Sequence, residues 1–377
     1  MTGGWVVPRA DLQAQYRALA PEIDDAIRGM LERAELIGGP TLERFERAVA
    51  DRVGVQAAVA TSSGTAALQL ALLAAGVGPG AEVIVPAFTF AATAAAVVHC
   101  GAKPVFVDVC EDTACIDPRA VAEAVTGRTR AVVAVHLFGR MADVGALVPL
   151  DVPVIEDAAQ AFGAHAAAGR AGAVGRFGCF SFHPSKNLGV AGDGGMVVTD
   201  DGDAATRIRR LVDHGRGASR EHEVVGFNHR FDAIQAAIGL VKLAHVDAWT
   251  ERRRALAARY DASLAGVDLG RPPLEPGHVF HQYAVTTDAR DELADHLYRA
   301  GIATAKFYPR PVYAEPGYAI YAPRERCPVS ERLCRRTLCI PIHAELSHTQ
   351  QEKVLASIHG FYGARVAGGA RRREDAG

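Results

Sequence analysis

Short apolar stretches alternate with helix-forming stretches through the first half of the chain. Residues 57–60, 82–86, 104–108, 131–136 and 153–155 read as strands. Between them, residues 66–75, 91–100 and 118–125 read as helices, the first of these stopped by glycines at 76, 78 and 80. Strands that are apolar throughout, rather than at every second residue, are covered on both faces. The pattern therefore predicts βαβ units and a mainly parallel sheet between two layers of helix. Residues 12–54 read as helical, with a break at Ile37-Gly38-Gly39-Pro40. Strands are expected at 177–182 and, leaving a glycine turn, at 194–199; a long helix from 232 to about 260 follows. Farther on, strand candidates at 280–285 and 303–307 mix with helices at 291–300 and 349–358, which suits a small α+β domain. For a chain of 377 residues this predicts a large α/β domain at 1–248, including the N-terminal helical segment. A small C-terminal domain at 249–361 and a flexible tail at 362–377 complete the expectation.

Charge and cysteine content narrow the function classes. A formal net charge of -2 gives no general attraction to nucleic acid or to an anionic membrane. No run of about 18 apolar residues occurs, and the N-terminus lacks the basic-then-apolar pattern of a signal peptide, so a cytoplasmic protein is expected. Seven cysteines show no CxxC pair and no Cys/His cluster at zinc spacing. They read as free thiols in a reducing compartment, and no metal site is expected.

Ligands of doubly wound sheets sit at the carboxyl ends of the strands, so reactive residues just after each strand are the candidates. Ser63-Gly64-Thr65 lies between a strand and a helix. It is either a phosphate cup at a helix N-terminus or an ordinary N-cap. No lysine follows, so it is not a P-loop. Phe88-Thr89-Phe90 follows the strand at 82–86 and offers either a platform for a flat ring or core aromatics. Glu156-Asp157 ends the strand at 153–155. Its carboxylate reads as a partner for a pyridine nitrogen, a helix cap or a metal ligand. Lys186 sits in the loop Ser181-Phe182-His183-Pro184-Ser185-Lys186-Asn187, ahead of glycines at 192–195. Only five of the 41 basic residues are lysines, and arginine cannot form an imine. Lys186 is therefore either a buried amine with lowered pKa or a solvated loop residue. Of the other lysines, Lys242 and Lys353 read as surface positions, Lys103 begins a strand, and Lys306 near Tyr308 is the rival. In order, a phosphate turn, an aromatic, an aspartate, a serine and lysine, and a glycine turn make the parts of a pyridoxal phosphate (PLP) site.

The resemblance to a known family rests on longer blocks: SSGTAAL (62–68), PAFTFAAT (86–93), EDAAQAFGA (156–164), FSFHPSKNLGVAGDGGMVVT (180–199), GFNHRFDAIQAAIGLVKL (226–243) and FYPRPVY (307–313). With Leu12 to Tyr16 and Gly38-Gly39-Pro40 ahead of them, they cover nearly the whole chain. The sequence resembles the DegT/DnrJ/EryC1/StrS family of PLP aminotransferases, which act largely on nucleotide-linked keto sugars. The resemblance implies the aspartate-aminotransferase fold, with a seven-stranded, mainly parallel sheet and a small C-terminal domain. It implies that Lys186 is the Schiff-base lysine and proton shuttle and that Asp157 pairs with the pyridine nitrogen. Phe90 would stack on the ring, Gln160 would lie by its phenolic oxygen, and Gly64, Thr65 and Ser181 would hold the phosphate. Asn228 would reach the cofactor of a neighbouring subunit, which implies a homodimer with shared sites. Arg230, Tyr308 and Arg310 are the candidates for holding a nucleotide diphosphate.

The same resemblance implies ping-pong transfer from L-glutamate to a ketone, expected at C-4 of a dTDP-linked 4-keto-6-deoxy sugar. A C-3 keto sugar or a cyclitol ketone uses the same parts, as does a PLP enzyme making an aromatic amino acid. Relatives that are dehydratases carry His in place of this lysine, so Lys186 favours transamination. A non-catalytic PLP-fold regulator is the alternative of another class; it has no need of Lys186, Asp157 and Ser181 together. A nicotinamide oxidoreductase is disfavoured because no GxGxxG follows a strand.

Overall fold

The protein was analysed as a computed structural model, which describes residues 4–374. Helix α1 (Leu12–Glu32) starts where the Asp11 carboxylate accepts a hydrogen bond from Ala14 N–H at 2.8 Å. Helix α2 (Pro40–Val53) opens with a proline, whose missing N–H is harmless in a first turn. Between them Gly38 and Gly39 have φ of 68° and 84°, values that a side chain would strain.

The sheet follows as β1 (Ala57–Thr61), α3 (Gly64–Ala74), β2 (Glu82–Pro86), α4 (Ala92–His99), β3 (Lys103–Val107), α5 (Pro118–Ala124), β4 (Thr129–Val135) and β5 (Val154–Asp157). A two-residue hairpin, β6 (His165–Ala166) and β7 (Gly169–Arg170), precedes β8 (Phe177–Ser181) and β9 (Gly195–Thr199). The seven large-domain strands lie in the order β1-β9-β8-β5-β4-β2-β3. Strands β3, β2, β4, β5 and β8 are parallel, and β9 runs against both its neighbours. The seven-stranded, mainly parallel sheet is as expected. Its centre is fully buried: Val83, Ile84 and Val85 of β2 and Ala131 to Ala134 of β4 have no exposed surface. Each such valine or isoleucine contributes about 1.5–3 kcal/mol of burial free energy.

Beyond β9 come α6 (Gly202–Val212), α7 (Ala233–Leu243), α8 (Val246–Ser263), β10 (Tyr283–Thr286), α9 (Arg290–Arg299), α10 (Pro328–Arg336), β11 (Thr337–Ile340) and α11 (His348–Glu374). The single helix expected over 232–260 is two. Helix α7 buries Ala233, Ala236 and Ile238 alongside α1 and α2, whereas α8 puts Leu256, Ala257 and Tyr260 into a different core. One straight rod cannot serve both faces, and the chain turns at Ala244 and His245. The strand expected at 303–307 is also absent. Ala305 makes one reciprocal bridge to Cys339, and the next residues leave to line a cleft. The antiparallel partner of β10 is β11. Lys242 is buried rather than superficial, because its ammonium donates to Gln15 Oε1 at 2.9 Å across the α7–α1 contact.

A core around Phe45, Phe182 and Phe231 packs α2 and α7 against the β1, β9 and β8 end of the sheet, and two further large cores exchange segments. One fills the sheet and its helices, and draws in Val312, Tyr313, Leu333 and Cys334 from the C-terminal part of the chain. The other gathers α8, β10, α9, β11 and α11 around Tyr260, Tyr283 and Leu293, and takes in Val7 from the N-terminus. Each half of the chain thus lends a segment to the other half's core. Helix α11 continues into the stretch expected as a tail; residues 375–377 lie outside the described part.

Candidate active site

A cavity of about 530 Å³ opens where the carboxyl ends of β4, β5 and β8 meet residues 306–309. This is the position that doubly wound sheets use for ligands. Its walls include Gly64, Thr65, Phe90, Asp157, Gln160, Ser181, Lys186 and Tyr308. Eight of the residues singled out from the sequence therefore share one space, although they span more than two hundred positions. Asn228, Arg230 and Arg310 are not among its lining. Asn228 is exposed and its backbone bridges to Asp213, Arg230 is held by Asp213 at 2.6 Å, and Arg310 is exposed and 3.6 Å from Glu315.

Asp157 is the last residue of β5 and is 6% exposed. Oδ2 accepts a hydrogen bond from Thr93 Oγ1 at 2.8 Å, and Oδ1 accepts one from Ala159 N–H at 3.2 Å. Thr93 spends its one proton there, so Thr89, 3.1 Å away, must be the donor in the Thr89–Thr93 contact. Burial pushes the Asp157 pKa up. The Thr93 and Ala159 hydrogen bonds and the charge of Lys186 oppose that rise without cancelling it. A carboxylate in this setting, served only by neutral donors, is a ready partner for a cation such as a pyridinium nitrogen.

Lys186 follows β8 in the loop that Pro184 and Gly189 shape. Burial lowers its pKa to about 8; Asp157 pulls it back up, and Arg9 pushes it down further. A large share of the amine is consequently neutral near pH 8, which a nucleophile requires. The next residue, Asn187, is locked. Its Nδ2 donates to Val279 O at 3.1 Å, and its Oδ1 lies 3.0 Å from His281 Nδ1.

The third part is the start of α3. Ser63 caps it by accepting from Ala66 N–H at 3.1 Å. The N–H groups of Gly64 and Thr65 precede the first intrahelical bonds, and both residues line the cavity, which is where an anion-binding helix terminus would be. The approach to β8 is tight. A Cβ on Gly64 would stand 2.8 Å from Ser181 Cβ, and one on Gly195 would stand 2.4 Å from the Ser63 carbonyl carbon. Ser181 thus lies against the turn as a further polar group. Across the cavity, Gln160 takes Phe138 N–H on its Oε1 at 2.9 Å and gives Nε2–H to the Tyr308 hydroxyl at 3.1 Å. Phe90 stacks on Tyr308 with ring centres 5.9 Å apart and remains 58% exposed. The residues fit PLP: anion-binding amides at one end, a buried carboxylate at the other, a half-neutral amine between them, and an aromatic wall.

Cavity residues that the sequence did not single out include Arg9, Thr93, His183 and His281. Thr93 had a visible signal, since it lies three residues after Phe90 in the first turn of α4. His183 stands in the loop already picked out after β8, whereas Arg9 and His281 come from segments whose local pattern says nothing about a strand end. Among the described residues no helix is long and apolar enough to cross a membrane, and no group of three or more metal-ligating side chains is assembled.

Comparison with known proteins agrees with this geometry. Residues 18–359 match the DegT/DnrJ/EryC1/StrS aminotransferase family. A dTDP-3-amino-3,4,6-trideoxy-alpha-D-glucose transaminase of Streptomyces venezuelae is 44% identical over 360 residues, covering 93% of this chain and 95% of its own length. A protein of Geobacillus stearothermophilus named as a pleiotropic regulatory protein is 42% identical over 366 residues, 94% of this chain and 98% of its own. The crystal structure of S. venezuelae DesV in complex with a ketimine intermediate superposes with a TM-score of 0.91 at 43% identity, covering 94% of this chain and 98% of that one. With the match running almost end to end and the cavity carrying the lysine, aspartate and helix terminus, the chain belongs to the DegT/DnrJ/EryC1/StrS aminotransferase family.

Proposed function

We propose that this chain is a PLP-dependent aminotransferase that moves an amino group from L-glutamate to the C-3 ketone of a dTDP-linked deoxyhexose. The carrying observation is the half-neutral Lys186 amine in one cavity with buried Asp157 and the open N-terminus of α3. Bound there, PLP supplies an electron-withdrawing ring that stabilises negative charge on the donor's reacting carbon and carries the amine between substrates.

The chain's own groups do the rest. Gly64 and Thr65 N–H with the Ser181 hydroxyl hold the phosphate. Asp157 keeps the ring nitrogen protonated, and Thr93 keeps Asp157 turned toward it. Within each half-reaction the Lys186 amine would act first as a base and then as an acid, taking a proton from one reacting carbon and delivering it to the other. Tyr308, whose hydroxyl is held by Gln160, closes the wall beside Phe90 and excludes water. Burial raises the Tyr308 pKa, so the phenol stays protonated and remains a donor.

Two further assignments belong to this reading. Asn228 is exposed and outside its own cavity, on a loop whose Val225 is 94% exposed. That placement suits a homodimer in which Asn228 reaches the partner's cofactor phosphate. Arg310, two residues beyond Tyr308, suits the nucleotide's diphosphate. The choice of C-3 over the C-4 expected from the sequence rests on the 3-amino sugar named for the 44%-identical relative. A regulatory reading draws only on the names of relatives, such as the Geobacillus protein.

The test supplies the enzyme with PLP and L-glutamate, together with either dTDP-3-keto-4,6-dideoxyglucose or dTDP-4-keto-6-deoxyglucose. Amino sugar is then sought by mass. Turnover confined to the 4-keto sugar overturns C-3, and turnover of neither sugar overturns the substrate class.

A further inference from the structure

Arg9 enters the cavity from a segment remote from the sheet. Val7 forms a parallel bridge to Ile302, with Val7 N–H to Gly301 O at 3.1 Å and Ala303 N–H to Val7 O at 2.9 Å. Val7 itself is fully buried in the C-terminal core. Four residues later Asp11 caps α1 through its 2.8 Å bond to Ala14 N–H. Two fixed points, with Pro8 between them, hold Arg9 over the cleft. Its guanidinium carbon stands 5.0 Å from the centre of the Phe307 ring. Stacking of this kind orients a guanidinium and leaves its N–H edge open.

The other cations near the cavity have a carboxylate beside them or a different assignment. Lys306 is paired with Asp291 at 2.7 Å, and Arg310 lies 3.6 Å from Glu315. Lys186 is committed to the cofactor. Among the described residues Arg9 has no carboxylate partner, and yet it shares the cavity with Lys186, Gln282 and Tyr308. The cavity that Arg9 lines is the one in which Lys186 and His281 stand, and the charge of Arg9 acts on both of them. A ligand carboxylate that ends there belongs to the molecule whose amine reacts at the lysine.

We propose that Arg9 is the residue that binds a carboxylate of the amino donor, and that it selects an anionic amino acid over a neutral amine. The inference rests on the aminotransferase reading above. A guanidinium presents two parallel N–H bonds to a carboxylate, which an ammonium cannot match. In the second half-reaction the same edge is open again, because the keto acid leaves before the sugar nucleotide enters.

The experiment is calorimetric and needs no turnover. Glutarate, an unreactive dicarboxylate, is titrated into PLP-loaded wild type, Arg9→Gln and Arg9→Lys, and dTDP is titrated into the same three proteins. Thermal melts confirm that each variant is folded. Expected are a loss of glutarate affinity of about tenfold or more in Arg9→Gln, a partial recovery in Arg9→Lys, and unchanged dTDP binding. Equal glutarate affinity in wild type and Arg9→Gln overturns the role of Arg9 and leaves the aminotransferase reading standing. Loss of dTDP binding instead overturns it by placing Arg9 at the nucleotide. Glutarate that fails to bind wild type overturns the glutamate donor as well.

Discussion

Thr93 Oγ1 donates to Asp157 Oδ2 at 2.8 Å, and among the described residues this neutral hydroxyl is the only side chain that hydrogen-bonds the buried carboxylate. The contact joins the first turn of α4 to the end of β5 across the floor of the cavity. Thr93→Val keeps the shape and removes the donor, leaving Asp157 Oδ2 without its partner. A lost hydrogen bond to a charged group costs about 1.5–3 kcal/mol, so PLP affinity should fall by roughly tenfold to a hundredfold. Asp157→Asn should fall further, because it removes the charge that keeps the ring nitrogen protonated. Equilibrium dialysis of PLP against the three proteins checks the order; Thr93→Val that binds PLP like wild type would refute it.

Lys186 sets the second prediction. With its pKa lowered to about 8 from 10.5, the free amine is the majority form above about pH 8 and the ammonium is the majority form below it. At pH 7.5 about a quarter is neutral, against about 0.1% for an ordinary lysine. The rate at which apoenzyme captures PLP should therefore climb with pH and level off above about 8, as stopped-flow absorbance would record. A rate still climbing at pH 10 would mean that burial does not tune this amine. Lys186→Ala should lower transamination by roughly 10²–10⁴-fold, the usual worth of a positioned acid–base group.

The third prediction separates packing from binding at the α3 turn. A Cβ on Gly195 meets backbone, 2.4 Å from the Ser63 carbonyl carbon, and backbone cannot swing aside. A Cβ on Gly64 meets the Ser181 side chain at 2.8 Å, which is free to move toward the cavity. Gly195→Ala should therefore destabilise the fold by about 1–3 kcal/mol of overpacking, visible as a lower Tm. Gly64→Ala should melt closer to wild type but bind PLP more weakly, because the displaced Ser181 and the added methyl crowd the phosphate. Equal losses of Tm in both variants would contradict this division.

What the sequence disclosed follows from how local each cause is. Strands β2 and β8 were legible to within a residue, because a buried parallel strand is an unbroken apolar run between turn residues. Lys186, Asp157 and Gly64 were legible because each follows a strand at the edge where such sheets bind ligands. The break between α7 and α8 was not, since neither Gly nor Pro marks it and only the choice between two cores imposes it. Lys242 looked superficial because the partner that buries it, Gln15, is 227 positions away. Arg9 was hidden for the same reason: its place in the cavity depends on the Val7–Ile302 bridge, which no local pattern encodes.

The last prediction concerns acid stability and comes from two buried histidines in residues 278–282, a segment that His281 ties to the Lys186 loop through Asn187. His278 is 3% exposed, stacks on Phe280 with ring centres 3.9 Å apart, and accepts Phe280 N–H on Nδ1 at 2.9 Å. Protonation at Nδ1 would break that bond, and burial holds the pKa near about 3, below the ordinary 6.5. His281 is also pushed well below its usual value by burial and by the charges of Lys186, Arg253 and Arg9. Below about pH 6.5 the unfolded chain takes up protons that the native imidazoles refuse, so unfolding becomes more favourable as pH falls. For His278 the loss runs from about 6.5 down to about 3 and amounts to about 1.4 kcal/mol per pH unit. Above pH 6.5 neither histidine contributes any pH dependence. His278→Gln keeps a side chain able to accept the Phe280 N–H but cannot titrate. Its urea-unfolding free energy should fall less steeply between pH 6 and pH 5, by about the slope of one proton. An unchanged slope would show that His278 charges in the native state. A slope lowered equally by His245→Gln, at a histidine only 3.6 Å from Glu22, would show that the burial of His278 is not the cause.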